Sequence, residues 1–205
     1  MINMIFCNVI GYPSIIALKL DVTSDEDTNN VAKAVQNWLM DPNANKNRYL
    51  HAIINNAGIG SNGPIDWTSV SDFEHVMEVN YFGMIRSVKA FLPMLKAQVT
   101  GAGLRNRKYN DARIITMGSF AGHVALPGSP SYVVSKHAVQ NFSTCLRAEL
   151  KSFDIPVVTI NPSVHGTTMM DYSKKHFEAK WYNLSEKVRR EYGEGKFVYE
   201  RVNVP

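Results

Sequence analysis

The sequence contains little cysteine and no long apolar run. Its 205 residues include two cysteines, Cys7 and Cys145; these cannot form a disulfide framework, so a reducing intracellular compartment is the simpler interpretation. No stretch reaches the ~18 consecutive apolar residues that a membrane-spanning helix requires. The apolar beginning, residues 1–16, has no positively charged region and is interrupted by polar residues, glycine and proline, which argues against a signal peptide. These absences predict a soluble intracellular protein and leave contact with a membrane surface open.

The sequence also has only a small excess of positive charge, and its histidines lack the spacing that is typical of metal ligands. The formal net charge is only +4, and the densest basic cluster, Arg105, Arg107 and Lys108, has no interleaved aromatic residues. A solvated surface therefore explains these charges better than nucleic-acid binding. His123 and His137 show no ligand spacing with a cysteine or a second histidine, so no metal site is predicted.

What the sequence does contain is an alternation of strand and helix patterns. Short apolar runs predict strands at residues 14–20, 50–55, 112–117 and 155–160. Between them, helical periodicity predicts a helix opened by a capping box at Thr23 and Glu26, one over 71–95 capped by Ser71 or Asp72, and one over 132–153. A polar stretch, residues 98–111, is expected to be a surface loop. Continuous apolar strands separated by helices indicate an α/β fold with a doubly wound parallel sheet covered on both faces.

Polar and glycine-rich residues follow each predicted strand. In a sheet of this kind, ligands bind at the carboxyl ends of the strands. Asp21 ends the first strand, the stretch "NNAG" (residues 55–58) ends the second, Gly118 and Ser119 end the third, and "NPSVHGT" (residues 161–167) ends the fourth. Tyr132 and Lys136 lie on one face at the start of the next helix. Their spacing alone is common on helix surfaces, so only this context favours a proton-transfer pair.

Taken in order, these motifs identify a family resemblance. "DVT" at 21–23, "NNAG" at 55–58, "VN" at 79–80, "GSFAG" at 118–122 and "YVVSK" at 132–136 resemble the short-chain dehydrogenases/reductases over residues 15–170. The stretches "LDVTS" and "VNYFGMIRSVKAFLPML" are most similar to the retinol and 17β-hydroxysteroid dehydrogenase branch. The resemblance implies a Rossmann-like domain that transfers hydride between NAD or NADP and an alcohol or carbonyl. It also implies a homodimer formed through the helices at 71–95 and 132–153, and a cytoplasmic or endoplasmic-reticulum-associated location.

The resemblance assigns four residues to the chemistry. Tyr132 is the acid or base, and the ammonium of Lys136, one helical turn away, is expected to stabilise its phenolate. Ser119 would bind the substrate oxygen. Asn80 would order a water that passes protons to Lys136, although a buried amide that satisfies a helix kink is the alternative.

The implied cofactor contacts lie on the same rim. Asp21 would contact the adenine, with a plain strand-end residue as the alternative, and Tyr132 and Lys136 would hold the nicotinamide ribose. The remaining positions are Asn56, Ala57 and Gly58 at the adenosine ribose and Pro162 and Thr167 near the carboxamide and pyrophosphate. Ser163 and His165 depart from the family pattern in that last loop.

The beginning of the sequence departs most from the family. No glycine-rich dinucleotide turn precedes Asp21, so we expect a partial domain that begins after the first βαβ unit, with a core at 14–170 and a substrate-lid helix and tail at 171–205. The choice between NAD and NADP is therefore unreadable. Met169, Met170, Tyr172, Phe177, Trp181 and Tyr182 suit a small apolar substrate such as a retinoid or steroid, with helical core packing as the alternative. Two functions stay open, a dehydrogenase or a non-catalytic relative that acts through dimerisation.

Overall fold

The computed structural model describes residues 17–43, 49–100, 112–163 and 168–193. Over these ranges the chain forms the strands β1 (Ala52–Asn55), β2 (Arg113–Met117) and β3 (Val157–Ile160). The helices are α1 (Asp25–Leu39), α2 (Val70–Met77), α3 (Gly83–Thr100), α4 (Pro130–Leu150), α5 (Thr168–Asn183) and α6 (Glu186–Tyr192). Helices separate the strands along the chain, as the sequence pattern predicts.

The strands form one parallel sheet in the order β1-β2-β3. Ile53, Ile114 and Val157 pair across the three strands, and all three side chains are buried. They belong to one core with apolar residues of α1, α3 and α4. The predicted α/β fold with a parallel, Rossmann-like sheet is confirmed.

The sequence pattern predicts that both faces of this sheet are covered, but in the described residues the second face is exposed. Ile54 and Val158 each follow a buried strand residue and therefore point to the other side of the sheet. Their side chains are 62% and 43% exposed. Within the described residues, helices thus bury one face of the sheet and leave apolar side chains exposed on the other.

The first predicted strand, residues 14–20, differs from the structure over its described part. Residues 17–20 form no regular element, and residues 14–16 lie outside the described ranges. Leu20 is nevertheless buried, and Leu18 packs against the same core. A strand requires a hydrogen-bonded neighbour, and none of the described strands pairs with this segment. The prediction was therefore right about burial and wrong about pairing.

The cap of α1 lies one residue after the predicted one. Ser24, rather than Thr23, accepts the backbone N–H of Asp27 at 3.1 Å. The Thr23 hydroxyl is directed to the other side instead, where it donates to the Asp21 carboxylate at 2.7 Å. The local turn thus uses the threonine that the sequence assigned to the helix.

The second predicted helix, residues 71–95, is longer and is interrupted. Ser69 caps α2, and Asp72 completes the capping box as its third residue. A π-helical turn over Glu78–Phe82 follows, and α3 then continues to Thr100. The polar stretch expected to be a loop from residue 98 therefore begins as helix, and residues 101–111 lie outside the described ranges.

The third predicted helix starts two residues early because Pro130 occupies its first turn, where its missing N–H has no cost.

The helices α5 and α6 pack around Trp67 in a second, smaller core. Trp67, Phe177 and Trp181 are buried there, and the Trp67 ring lies 5.4 Å and 5.2 Å from those of Phe177 and Trp181, centroid to centroid. For these two aromatic residues the alternative of helical core packing holds. Tyr182 is exposed, and the side chains of Met169, Met170 and Tyr172 lie outside the described part.

None of the helices in the described ranges is both long and apolar enough to cross a bilayer.

Candidate active site

Ser119 lies two residues after the end of β2 and opens a short 3-10 turn, Phe120–Gly122. Its hydroxyl accepts the backbone N–H of Ala121 at 3.1 Å, which fixes the side chain at the start of this turn. The same hydroxyl lies close enough to the Tyr132 phenol to lower its pKa by hydrogen bonding. The structure therefore brings together two hydroxyl groups from different elements, as the sequence predicts.

Tyr132 and Lys136 lie in the first two turns of α4. The Lys136 ammonium lies 5.7 Å from the centroid of the Tyr132 ring. It donates a hydrogen bond of 2.9 Å to the backbone carbonyl of Met117, the last residue of β2. Helix α4 is thus joined to the end of β2 through Lys136 as well as through Tyr132.

Burial governs the ionisation of both residues. It lowers the pKa of Lys136 from 10.5 to about 8. It also raises the pKa of Tyr132, and the hydrogen bond with Ser119 only partly opposes this effect. The sequence argument expected the lysine charge to lower the pKa of the tyrosine, but desolvation of the phenolate is the larger effect. At neutral pH, Tyr132 therefore carries its proton.

Asn80 lies in the π-helical turn and is 3% exposed. Its side-chain oxygen accepts the backbone N–H of Ile59 at 2.8 Å, and its amide nitrogen donates to the Ile59 carbonyl at 3.0 Å. The same nitrogen donates to the Ser135 hydroxyl at 3.0 Å. Asn80 therefore fixes the loop after β1 to α4, which is more than satisfying a kink in its own helix. The predicted water relay to Lys136 stays a prediction.

Gly58 lies between Asn80 and Lys136. A Cβ atom at this position would lie 3.4 Å from the side-chain oxygen of Asn80 and 3.7 Å from the Lys136 ammonium. Its neighbours differ in exposure: Asn56 is exposed, whereas Ala57 packs against the main core. The loop that was predicted to bind the adenosine ribose thus begins at the surface and ends beside the catalytic candidates.

Asp21 is engaged in its own turn. Its carboxylate accepts the backbone N–H of Thr23 at 2.9 Å and the Thr23 hydroxyl at 2.7 Å, and these bonds lower its pKa. This geometry agrees with the alternative of a strand-end residue, and the adenine contact stays a prediction. At the other end of the site, the Pro162 carbonyl accepts the backbone N–H of Phe120 at 3.0 Å. Thr167 lies outside the described residues, as does His165.

Ser135 is the site residue that the sequence reasoning missed. It is fully buried, donates to the backbone carbonyl of Tyr132 at 2.7 Å and accepts from Asn80. The signal was present inside "YVVSK", where a serine one position before the lysine lies on the buried side of α4. The described residues contain no cluster of three or more side chains that could hold a metal ion.

Comparison with known proteins places the chain in a family. The family model of the short chain dehydrogenases matches residues 8–178. The chain is 29% identical over 189 residues to the mitochondrial D-beta-hydroxybutyrate dehydrogenase of Rattus norvegicus, covering 90% of the chain and 50% of that protein. It is 33% identical over 180 residues to the 3beta-hydroxysteroid dehydrogenase dhs-16 of Caenorhabditis elegans, covering 86% and 42%.

A solved structure agrees with this placement. A short chain dehydrogenase from Burkholderia cenocepacia in complex with NADP superposes with a TM-score of 0.63 at 27% identity, covering 78% of this chain and 60% of that one. The chain spans about half the length of the two relatives named above. The likeness to the hydroxysteroid relative agrees with the branch that the sequence indicates. With the family model matched over residues 8–178, the chain belongs to the short-chain dehydrogenase family.

Proposed function

We propose that the protein is an oxidoreductase that transfers a hydride between NAD or NADP and an apolar alcohol or its carbonyl. The observation that carries this proposal is the surroundings of Tyr132: the buried Lys136 ammonium lies 5.7 Å from its ring centroid, and the Ser119 hydroxyl is close enough to lower its pKa. Membership of the short-chain dehydrogenase family supports the reaction type.

Tyr132 is the proton-transfer residue in this proposal. Because burial raises the pKa of Tyr132, the phenol keeps its proton at neutral pH and can donate it to a carbonyl oxygen. In the direction of alcohol oxidation, that proton must leave first, and the positive charge of Lys136 then stabilises the phenolate. The Ser119 hydroxyl has a single proton, which it donates to the substrate oxygen when substrate is bound, and it thereby stabilises the charge that develops there.

The residues around Tyr132 fit a nicotinamide nucleotide. An ammonium has three donors, and the Met117 carbonyl takes one from Lys136, so others can serve ribose hydroxyls. The absence of a side chain at Gly58 keeps the space beside that ammonium open. When bound, the nicotinamide ring accepts or supplies the hydride. The residues assigned to the nucleotide are Tyr132, Lys136, Asn56, Ala57, Gly58, Asp21, Pro162 and Thr167.

A retinoid- or steroid-like substrate is the finer part of the proposal. The name of the hydroxysteroid relative supports it, whereas the name of the hydroxybutyrate relative favours a small polar substrate as the second candidate. Phe177 and Trp181 do not decide between them, because both side chains are used in the second core. Turnover of a steroid, a retinoid and 3-hydroxybutyrate under the same conditions separates the two candidates, and preference for 3-hydroxybutyrate would refute the apolar one.

We also propose a homodimer formed through the helices at 71–95, which are α2, the π-helical turn and α3, and at 132–153, which are α4 and the turn after it. Phe82 and Val134 on these elements are 44% and 52% exposed, and a self-complementary contact would bury them. Sedimentation at micromolar concentration tests the proposal, and a monomer at all concentrations would contradict it.

The test of the chemistry is the variant Tyr132→Phe. It removes one hydroxyl and leaves the ring in place, so we expect turnover to fall about 10²–10⁴-fold while the circular dichroism spectrum is unchanged. Tyr49→Phe is the matched control, because Tyr49 precedes the amino end of β1, opposite the rim that carries the site. Near-normal turnover of Tyr132→Phe would refute the assignment. Absence of turnover in the unchanged protein with either nucleotide would favour the non-catalytic alternative.

A further inference from the structure

The side chain of Asn161 connects two elements of the candidate site. Asn161 is the first residue after β3. Its amide nitrogen lies 2.9 Å from Nε2 of His123 and 3.3 Å from the side-chain oxygen of Gln140. His123 follows the short turn that begins at Ser119, and Gln140 lies on α4 one helical turn after Lys136.

The amide oxygen of Asn161 is held against the same turn. A Cβ atom at Gly118 would lie 2.0 Å from this oxygen, so residue 118 must be glycine for the side chain to lie where it does. The backbone N–H of Gly118 also donates to the Ile160 carbonyl at 2.8 Å, and that of Phe120 donates to the Pro162 carbonyl at 3.0 Å. The segment 160–162 therefore contacts the Ser119 turn through backbone groups, and Asn161 extends that contact to α4.

The Asn161 amide nitrogen is the donor in both contacts. An amide nitrogen donates only, so Nε2 of His123 is its acceptor. Gln140 accepts from the same amide through its oxygen. One side chain thus donates to both the Ser119 turn and the helix that carries Tyr132 and Lys136.

We propose that Asn161 is a positioning residue that fixes the turn of residues 118–123 against α4 and thereby sets the separation of the Ser119 and Tyr132 hydroxyls. The inference rests on the proposed function for its effect on turnover. Asn161 is exposed, so its hydrogen bonds contribute little to the free energy of unfolding. A displacement of about 1 Å between reacting groups, in contrast, lowers turnover by up to ~100-fold.

The experiment combines Asn161→Ala, Gly118→Ala and the double variant, each with two measurements. The first is the pH titration of Tyr132 followed by NMR of ¹³C-labelled tyrosine, with its signal assigned by its loss in Tyr132→Phe. The hydrogen bond with Ser119 lowers the pKa of Tyr132, so loosening it in Asn161→Ala is expected to move the titration to higher pH. The second is turnover, for which we expect kcat to fall about tenfold with KM for the nucleotide unchanged.

Gly118→Ala is expected to reproduce both effects, because its methyl group displaces the Asn161 side chain. Since the two changes act through one contact, the double variant should be no worse than the single ones. Asn141→Ala is the matched control: this amide is exposed on α4, and among the described residues its one partner is the carbonyl of His137 in its own helix. It should leave both measurements unchanged.

The outcomes separate the inference from the proposed function. A Tyr132 titration that is unchanged in Asn161→Ala would overturn the positioning role, whether or not the protein turns over substrate. A shifted titration without turnover in the unchanged protein would support the positioning role and refute the proposed function. If Asn161→Ala does not fold, Asn161→Leu removes the donors while it keeps the volume of the side chain, and the same titration decides the question.

Discussion

Replacing Lys136 with methionine is expected to raise the free energy of unfolding and to abolish the proposed hydride transfer. Burial lowers the pKa of Lys136 from 10.5 to about 8. At about 1.36 kcal/mol per pH unit, the buried ammonium destabilises the folded state by roughly 3 kcal/mol at neutral pH. Methionine keeps the length of the apolar stem and removes this charge. Against the gain, the Met117 carbonyl loses its donor, which costs about 1–2 kcal/mol.

The net expectation is a higher free energy of unfolding for Lys136→Met, by about 1–2 kcal/mol at pH 7. Urea denaturation measures it directly. Lys89→Met is the matched control, because Lys89 is exposed on α3 and its replacement should change the free energy of unfolding little. A Lys136→Met variant less stable than the unchanged protein would refute the reasoning.

The lowered pKa of Lys136 also predicts how the free energy of unfolding changes with pH. The folded state releases the Lys136 proton near pH 8 and the unfolded state near 10.5, so the unfolded state binds more protons between these values. The stability of the unchanged protein should therefore rise with pH across this window, relative to Lys136→Met. The advantage of Lys136→Met should therefore shrink from pH 8 and reverse towards pH 10.5, because the roughly 3 kcal/mol that the buried ammonium costs exceeds the net gain of about 1–2 kcal/mol. A constant difference would show that burial does not lower the pKa of Lys136.

Three further expectations follow from burial and pairing. Asn80→Leu leaves the backbone N–H and carbonyl of Ile59 without their partner. The free energy of unfolding, measured by thermal denaturation, should therefore fall by about 2–3 kcal/mol, and an unchanged melting temperature would contradict this. Ile54→Lys, at a site 62% exposed, should improve solubility at little cost in stability, whereas Ile53→Lys, 7% exposed, should prevent folding; equal effects would contradict the assignment of the two faces. Trp67→Ala should speed hydrogen exchange in α5 and α6 and leave the sheet amides protected, because the second core is separate from the main one; faster exchange throughout would show a single unit.

The elements that could be predicted from the sequence are those in which local pattern and tertiary packing agree. The runs that became β1, β2 and β3 are apolar and bounded by polar or turn residues, so their type and order followed from composition. The segment at 14–20 has the same composition, but a strand also needs a neighbour, and composition carries no information about pairing. Helix caps were displaced for a similar reason: Thr23 has the right chemistry, but Asp21 binds its hydroxyl instead.

The family motifs predict which residues form the candidate site. They do not predict the pKa shifts of these residues, which depend on burial. The proximity of Ser119 to Tyr132 followed from the family motifs together with the rule that strand ends meet at one rim. The sign of the Tyr132 pKa change did not follow, because it depends on how deeply the ring is buried, which spacing does not reveal. Ser135 was missed because a serine inside a helix ordinarily bonds to its own backbone, and its second bond, with Asn80, is a long-range contact.

These observations divide the polar groups of the site into two classes with different consequences. Asn80 and Ser135 direct their hydrogen bonds to protein groups. These bonds fix the geometry of the site, and replacing either residue should lower the stability of the protein. Lys136 is buried at an energetic cost and uses one described hydrogen bond of the three that an ammonium can donate. A group that destabilises the fold and keeps donors for a ligand is better explained by function than by packing. The opposite signs expected for Asn80→Leu and Lys136→Met therefore follow from one cause, which is whether a buried polar group finds all of its partners inside the protein.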